Sequence, residues 1–230
     1  MAGAVAQYIG NYDDPRSIGS SFRRKRSAPL VDLIESCFKQ KGEVRLLDVG
    51  GMEKYWNIVD ADWLASRRVR IVLSNLPDDL LPLARPDIFE EHEGDGCALR
   101  YEDDSFDIFH SNSTIEHVGT WSRKTAFARE ARRIAPAYFV QTPNFWFPWE
   151  PHFGMPLFHW APEPTKLWLA RTFSLGWNQK APDIDDGMRQ VEYASLLTRG
   201  MMEHLFPDAT IIPEKFFGLN KSFVATRRPA

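Results

Sequence analysis

The chain has little of several features that mark special classes of protein. Its 230 residues include only two cysteines, Cys37 and Cys97, too few for a disulfide framework and too widely spaced for a metal motif. We therefore expect a reducing, cytoplasmic setting. No apolar run approaches the roughly 20 residues that span a membrane, and residues 1–14 lack the basic head and apolar core of a signal peptide.

Neither positive nor negative charge is in strong excess. The formal net charge is −3, so nothing in the overall balance attracts the protein to nucleic acid. The basic run 23–26 is short, and we interpret it as a solvated or substrate-facing loop rather than a phosphate-binding patch. Hydrophobic residues make up 43% of the chain, enough for one sizeable domain over residues 1–230. We expect a small molecule as the partner and no integral membrane association of the protein. Formation of a homodimer is left open.

Hydrophobic periodicity predicts that strands and helices alternate. The expected strands are 44–49, 69–73, 106–110, 137–140, 210–212 and 222–226, with a short one within 76–100. The expected helices run from Ser27, with Pro29 near its start, to Gly42, then over about 58–66, from Ser122 to Ile134, and over about 195–205. Residues 1–27 read as loop-like.

The last two strands constrain the fold most. Only Pro213 to Lys221 separates them, which leaves no room for a crossover helix, so they should pair antiparallel. Together with the alternation before them, this predicts a Rossmann-like, doubly wound α/β/α sandwich. Its mostly parallel sheet should end in an antiparallel hairpin.

The first strand ends in the order Asp48, Val49, Gly50, Gly51. Such an apolar run is typical of a buried parallel strand that delivers its end to a nucleotide-like ligand. Glycines allow the backbone to bend sharply and to approach a ligand closely. A carboxylate there can accept hydrogen bonds from charged or hydroxylated groups.

Four parts of the chain, in order, resemble one family. Leu46–Gly51 is similar to its glycine-rich cofactor loop, and Gly94–Gly96 with Leu99–Asp107 is similar to its "GDA…LPF.D.SFD" run. His110–Val118 resembles the "S…LEHV" segment, and Gln141–Asn144 resembles the "TPN" exit of the fifth strand. The family is that of class I S-adenosylmethionine-dependent methyltransferases, of the small-molecule, type 11-like kind.

The resemblance implies S-adenosylmethionine as cofactor and S-adenosylhomocysteine as product. The residues it implies for cofactor binding are Asp48, Gly50, Gly51, Asn75, Asp95, Gly96, Ser111 and Asn112. By resemblance, the first three face the methionine part, Asp95 and Gly96 the adenine, and Ser111 and Asn112 the sulfonium. Two departures stand out: Asn75 occupies the ribose position where an acid is usual, and the third glycine is replaced around residues 53–54. An ordinary turn remains the alternative interpretation for Asp95.

The segment after the fifth strand, residues 145–190, is rich in aromatic residues and prolines, and we call it the aromatic segment. Seven aromatics lie between Phe145 and Trp160, and six prolines between Pro143 and Pro164, so one regular helix is excluded. We expect it to bind the methyl acceptor, with Trp146, Trp149 and His159 as contacts. A core-covering excursion, a dimer contact and docking on a membrane surface remain open alternatives.

The chemistry follows from the cofactor. The sulfonium methyl group is already electrophilic, so the protein mainly aligns the acceptor, and a hydroxyl acceptor also needs a base. We expect His152 to be that base, with His117 second and His159 third. Glu116 and His117 can equally begin a helix. No metal is predicted, because the sequence spacing offers no convincing ligand pair.

Two other functions stay open. One is a degenerate methyltransferase-like protein that binds the ligand without transferring methyl groups, which Asn75 and the missing third glycine motivate. The other is a nicotinamide-dependent oxidoreductase. Against it, no G-x-G-x-x-G opens the first helix, and the carboxylate precedes the glycines.

Overall fold

A seven-stranded sheet lies at the centre of the residues that the computed structural model describes, 18–229, with side chains described from residue 26. Its strands are β1 (Val44–Val49), β2 (Val69–Asn75), β3 (Phe89–Glu93), β4 (Ile108–Asn112), β5 (Ala137–Pro143), β8 (Thr210–Phe216) and β9 (Leu219–Arg227). A two-residue hairpin, β6 (Trp149–Glu150) with β7 (Met155–Pro156), lies apart from this sheet. The helices are α1 (Ile18–Lys41), α2 (Ala61–Ser66), α3 (Trp121–Ile134), α4 (Glu163–Thr172), α5 (Ile184–Glu192) and α6 (Arg199–Leu205).

The strand order is β3-β2-β1-β4-β5-β9-β8. The strands β1 to β5 pair in parallel, whereas β9 pairs antiparallel with both β5 and β8. The predicted fold class and the closing hairpin are therefore confirmed. Because the chain order reverses between β1 and β4, the carboxyl ends of these strands open the crevice where ligands bind in sheets of this type.

Apolar side chains cover both faces of the sheet. On one face, Leu30 and Ile34 of α1 belong to the same buried cluster as Leu46 of β1. On the other face, Phe127 of α3 and Phe206 after α6 are buried with residues of β4 and β5. Burial on both faces explains why the central strands read as continuous apolar runs.

The first helix begins earlier than predicted. We expected Ser27 to cap it, but α1 runs from Ile18 through Pro29 to Lys41. A proline inside a helix removes one backbone donor, yet the helix continues because the residues just beyond it, among them Leu30 and Leu33, are fully buried. The loop-like expectation is thus wrong for residues 18–27, and residues 1–17 lie outside the described part. Gly42, at a φ of 78°, ends the helix as expected.

Other boundaries shift for local reasons. The helix predicted over 58–66 is a 3₁₀ helix, Glu53–Ile58, followed by the separate α2, whose amino end is capped by the Asp60 carboxylate accepting from the Trp63 N–H. The helix predicted over 195–205 begins only at Arg199, after the capping residue Thr198. Of the described helices, none is long and apolar enough to cross a membrane.

Candidate functional site

The loop after β1, residues 50–52, lies at the carboxyl edge of the sheet, and we call it the first loop. Gly50 has a φ of 72°, and its N–H donates to the Ser74 carbonyl oxygen at 2.9 Å. A Cβ atom on Gly50 would lie 2.3 Å from the Thr114 Oγ1. We expected glycine here to let the backbone approach a ligand, but the backbone angle and the neighbouring threonine already require it.

Asp48 is buried beneath this loop. Its carboxylate accepts from the Trp56 Nε1–H at 2.8 Å and lies 2.6 Å from the His110 Nδ1. A Cβ atom on Gly51 would lie 2.0 Å from the same carboxylate. The sequence suggested that Asp48 faces a ligand. Instead both of its oxygens have partners within the chain, and the side chain is inaccessible. The sequence analysis did not identify Trp56 and His110, because their contacts with Asp48 bring together three segments that are separate in the sequence.

Two cavities open beside the ends of β2 and β3. The larger has a volume of about 770 Å³ and is lined by residues including Leu76, Pro77, Glu91, Asp95 and Tyr101. The smaller has a volume of about 310 Å³ and is lined by residues including Gly51, Asn75 and Glu91. Glu91 lines both, so the two cavities share this acidic residue.

Asn75 orients the carboxylate of Glu91. Its amide nitrogen donates to the Gly51 carbonyl oxygen at 2.9 Å and to the Glu91 Oε1 at 2.9 Å. An acid is therefore present beside the position where sequence reasoning found only an amide. Glu91 was missed because it comes from β3, whose place next to β2 is not evident from the sequence. The acidic run within residues 76–100 was the available signal.

Asp95, predicted to contact the adenine, lines the larger cavity. Its carboxylate accepts from the Cys97 N–H at 3.0 Å and from the Arg123 guanidinium at 2.9 Å. Burial works to raise the pKa of Asp95, but these hydrogen bonds and the positive charge of Arg123 hold it below its usual value. Gly96 packs on the core, where an added Cβ atom would lie 2.7 Å from Val49.

Ser111 and Asn112, at the end of β4, differ in their surroundings. Ser111 is fully buried, and its hydroxyl donates to the Val49 carbonyl oxygen at 2.9 Å. This hydrogen bond connects the end of β4 to the end of β1, and the predicted contact of Ser111 with the sulfonium stays a prediction. The Asn112 Oδ1 is buried and has no hydrogen-bond partner among residues 18–229, so it can still accept one.

Glu116, His117 and His152 come together near this edge, and we call them the histidine cluster. One ligand atom of each lies within 4.8 Å of the others. The two imidazole rings lie 4.7 Å apart, centroid to centroid, at an interplanar angle of 88°. His117 belongs to a 3₁₀ turn after β4, and His152 follows β6 in the aromatic segment. The two histidines ranked first and second from sequence are thus neighbours.

Each cluster residue has a further contact. The His117 Nδ1 lies 2.8 Å from the Tyr193 carbonyl oxygen, and the His152 Nδ1 lies 2.7 Å from the Glu150 Oε1. Burial lowers the pKa of His117. The Glu116 Oε2 accepts from a threonine hydroxyl, that of Thr142, at 2.9 Å. Burial raises the pKa of Glu116 to about 7.

The aromatic segment folds as the short β6–β7 hairpin followed by α4 and α5, so it is not one helix. Trp146 and Trp149 are 65% and 48% exposed. The His159 Nε2 lies 2.7 Å from the Phe145 carbonyl oxygen, and burial lowers the pKa of this histidine. One ring nitrogen of His159 is thus committed to the main chain.

A cavity of about 260 Å³ opens beside the segment. It is lined by Asn178, Asp186, Arg189, Gln190 and Tyr193. The Tyr193 ring lies 4.4 Å from the His117 ring and 6.0 Å from the His152 ring, centroid to centroid. Tyr193 therefore connects this cavity to the histidine cluster.

Comparison with known proteins gives a match to a family model over part of the chain, and a fold. Residues 59–136 match the family model described as a methyltransferase domain. Among curated proteins, none matches the chain at a significant level. The PH0226 protein from Pyrococcus horikoshii OT3 is 17% identical, with 95% of each chain covered and a TM-score of 0.51. A "possible exported protein" from Bordetella parapertussis is 14% identical, with 100% of this chain and 79% of that one covered and a TM-score of 0.56. At such identities the likeness shows the fold alone.

Proposed function

We propose that this chain is a class I S-adenosylmethionine-dependent methyltransferase and that it methylates a hydroxyl group of a small-molecule acceptor. The observation that carries the proposal is the meeting of His117 and His152, whose ring centroids lie 4.7 Å apart. One histidine follows β4 at the ligand-binding edge of the sheet, and the other comes from the aromatic segment. A hydroxyl acceptor needs a proton-accepting group placed in this way.

The cavities at β2 and β3 fit a nucleoside cofactor. The Glu91 carboxylate, oriented by the Asn75 amide, would accept hydrogen bonds from the ribose hydroxyls. Asp95 would accept from the adenine amino group, and Leu76 offers an apolar wall in the same cavity. The unpartnered Asn112 Oδ1 leaves one more acceptor at the strand end. When bound, S-adenosylmethionine supplies a methyl group that its positively charged sulfur makes electrophilic.

The cavity next to Tyr193 suits the acceptor. Its lining carries amide, carboxylate and guanidinium groups, so we propose a small, polar acceptor. Tyr193 would place the acceptor against the rings of His117 and His152. Alignment of the acceptor oxygen with the methyl group would then provide much of the rate enhancement.

His152 is the proposed base. Because a carboxylate oxygen of Glu150 can only accept, the Nδ1 of His152 carries the proton in this 2.7 Å contact, and the Nε2 lone pair stays free. That lone pair would take the hydroxyl proton, and Glu150 would stabilise the resulting imidazolium. His117, whose Nδ1 is similarly engaged by the Tyr193 carbonyl oxygen, is the second candidate.

Binding and turnover must be measured separately. A thermal-shift panel of S-adenosylmethionine, S-adenosylhomocysteine and NAD should show stabilisation by the first two only. Turnover is then followed with labelled S-adenosylmethionine and a library of polar hydroxyl compounds. Stabilisation by NAD alone would contradict the assignment. Cofactor binding without turnover of any acceptor class would instead favour a degenerate methyltransferase-like protein that no longer transfers methyl groups. The contacts of the Asp48 carboxylate with Trp56 and His110, which leave it no free oxygen, also support that alternative.

A further inference from the structure

We propose that the histidine cluster, Glu116, His117 and His152, binds one divalent transition-metal ion. These three side chains come from two distant parts of the chain, yet one ligand atom of each lies within 4.8 Å of the others. Two imidazoles and one carboxylate at that separation can share one ion. Sequence spacing had predicted no metal, because nothing in the sequence places His152 beside His117.

The hydrogen bonds behind the two histidines prepare them to act as ligands. The His117 Nδ1 faces the Tyr193 carbonyl oxygen at 2.8 Å, and the His152 Nδ1 faces the Glu150 carboxylate at 2.7 Å. Both oxygens are acceptors, so each Nδ1 carries the proton, and each Nε2 keeps a lone pair. Metal-binding histidines nearly always donate their other ring N–H to a carbonyl or carboxylate oxygen, which fixes the tautomer and the ring orientation.

The carboxylate gives a second, independent indication. Glu116 is 1% exposed, and its Oε2 is engaged by the Thr142 hydroxyl. Its Oε1 is buried and has no hydrogen-bond partner among the residues that the structure describes. A buried acceptor without a partner is costly, and a bound cation would satisfy it.

The ligand set selects the kind of metal. Imidazole nitrogens suit zinc, cobalt, iron or nickel, whereas magnesium and calcium prefer sites made of oxygen atoms. Three protein ligands leave at least one coordination position open, as in catalytic zinc sites. A water molecule or an oxygen of the acceptor can fill that position.

The ion would also change how the acceptor loses its proton, a consequence that rests on the proposed function. A hydroxyl bound to the ion ionises more readily, and its proton would pass to solvent. His152 would then act as a ligand in the metal-loaded protein and as the direct base in the metal-free protein. Metal binding itself depends on neither reaction.

The test uses the full chain, stripped of metal by a chelator and dialysed. Titration with Co²⁺ should give visible d–d absorption that saturates at one ion per chain, and Zn²⁺ should displace it. Mg²⁺ should not compete. The variants His117→Ala and His152→Ala should each weaken Co²⁺ binding by about 100-fold or more, and Glu150→Gln by about 10–100-fold.

The control is His204→Ala, since His204 is exposed, its ring contacts Trp121, and it is not a member of the histidine cluster. This variant should bind Co²⁺ like the wild type, and circular dichroism should confirm that every variant is folded. Absence of saturable Co²⁺ binding, or unchanged binding in a folded His117→Ala/His152→Ala double variant, would overturn the proposal. Methyl transfer by the metal-stripped protein would in that case still support the proposed methyltransferase function.

Discussion

At the scale of single residues, the largest departure from the sequence-based picture is the source of the acid at the ribose position. β2 ends at Asn75, where the resembled family usually has an acidic residue. From the sequence alone, the negative charge at this position is missing. The structure instead pairs the Asn75 amide with Glu91 of β3 at 2.9 Å. An acidic residue of the neighbouring strand therefore lines both cavities.

We expect Glu91→Gln to weaken S-adenosylmethionine binding by about 10–100-fold, because a hydrogen bond to a charged group is worth about 1.5–3 kcal/mol. Glu90→Gln is the matched control, since Glu90 lies on the same strand but is exposed and lines neither cavity. Isothermal titration calorimetry measures both. Equal affinities for the two variants would show that Glu91 does not contact the cofactor.

His152→Ala should reduce turnover by about 10²–10⁴-fold, the usual effect of removing a general base. His152→Gln should be nearly as slow, because glutamine keeps hydrogen bonding but cannot take a proton. Cofactor affinity should stay near the wild-type value, because the proposed cofactor contacts lie in residues 48–112. Full turnover by His152→Ala would remove this histidine from the mechanism and make His117 the next residue to test.

Gly50→Ala should destabilise the fold more than Gly42→Ala. Both glycines have a positive φ, which costs an alanine about 1–2 kcal/mol. Only at Gly50 would the new methyl group also overlap a side chain, that of Thr114, whereas nothing lies within 4 Å of a Cβ atom on Gly42. Urea unfolding should show an additional loss of about 1–3 kcal/mol for Gly50→Ala, the cost of overpacking. Equal midpoints and slopes would contradict this.

At the scale of elements, the sequence predicted which segments form strands and helices better than it predicted their ends. Apolar runs such as 44–49 are long enough to be recognised, and β1 has those bounds. The ends depend on capping and on packing between distant elements. Pro29 was interpreted as a helix start, but burial of the following turn carries α1 through it.

Capping can be tested at α2, which has only six residues. The Asp60 carboxylate accepts from the Trp63 N–H at 2.7 Å, so Asp60→Ala should cost about 0.5–2 kcal/mol of folding free energy. Asp62→Ala is the control, because Asp62 is exposed in the same helix and is not the capping residue. Thermal or urea unfolding that shows no difference between the two variants would contradict the role of Asp60.

At the scale of the whole molecule, the candidate site is made of pieces that only the fold brings together. The first strand and its glycines were recognisable because their residues are adjacent in sequence. The histidine pair could be named from sequence but not placed, since α3, β5 and β6 lie between His117 and His152 in the chain. Glu91 and the partners of Asp48 were missed for the same reason.

The burial of Asp48 has a further consequence for how a ligand would bind. Because Trp56 and His110 hold its carboxylate, and because the Gly50 N–H is already bonded to the Ser74 carbonyl oxygen, the first loop is shaped by the chain itself. A ligand would then meet a preorganised surface and would not have to order the loop, so little conformational entropy would be lost. Amide hydrogen exchange at Gly50 should be slow in the free protein, and nearly as slow with ligand present. The first loop would then bind its ligand as a rigid surface, without induced fit.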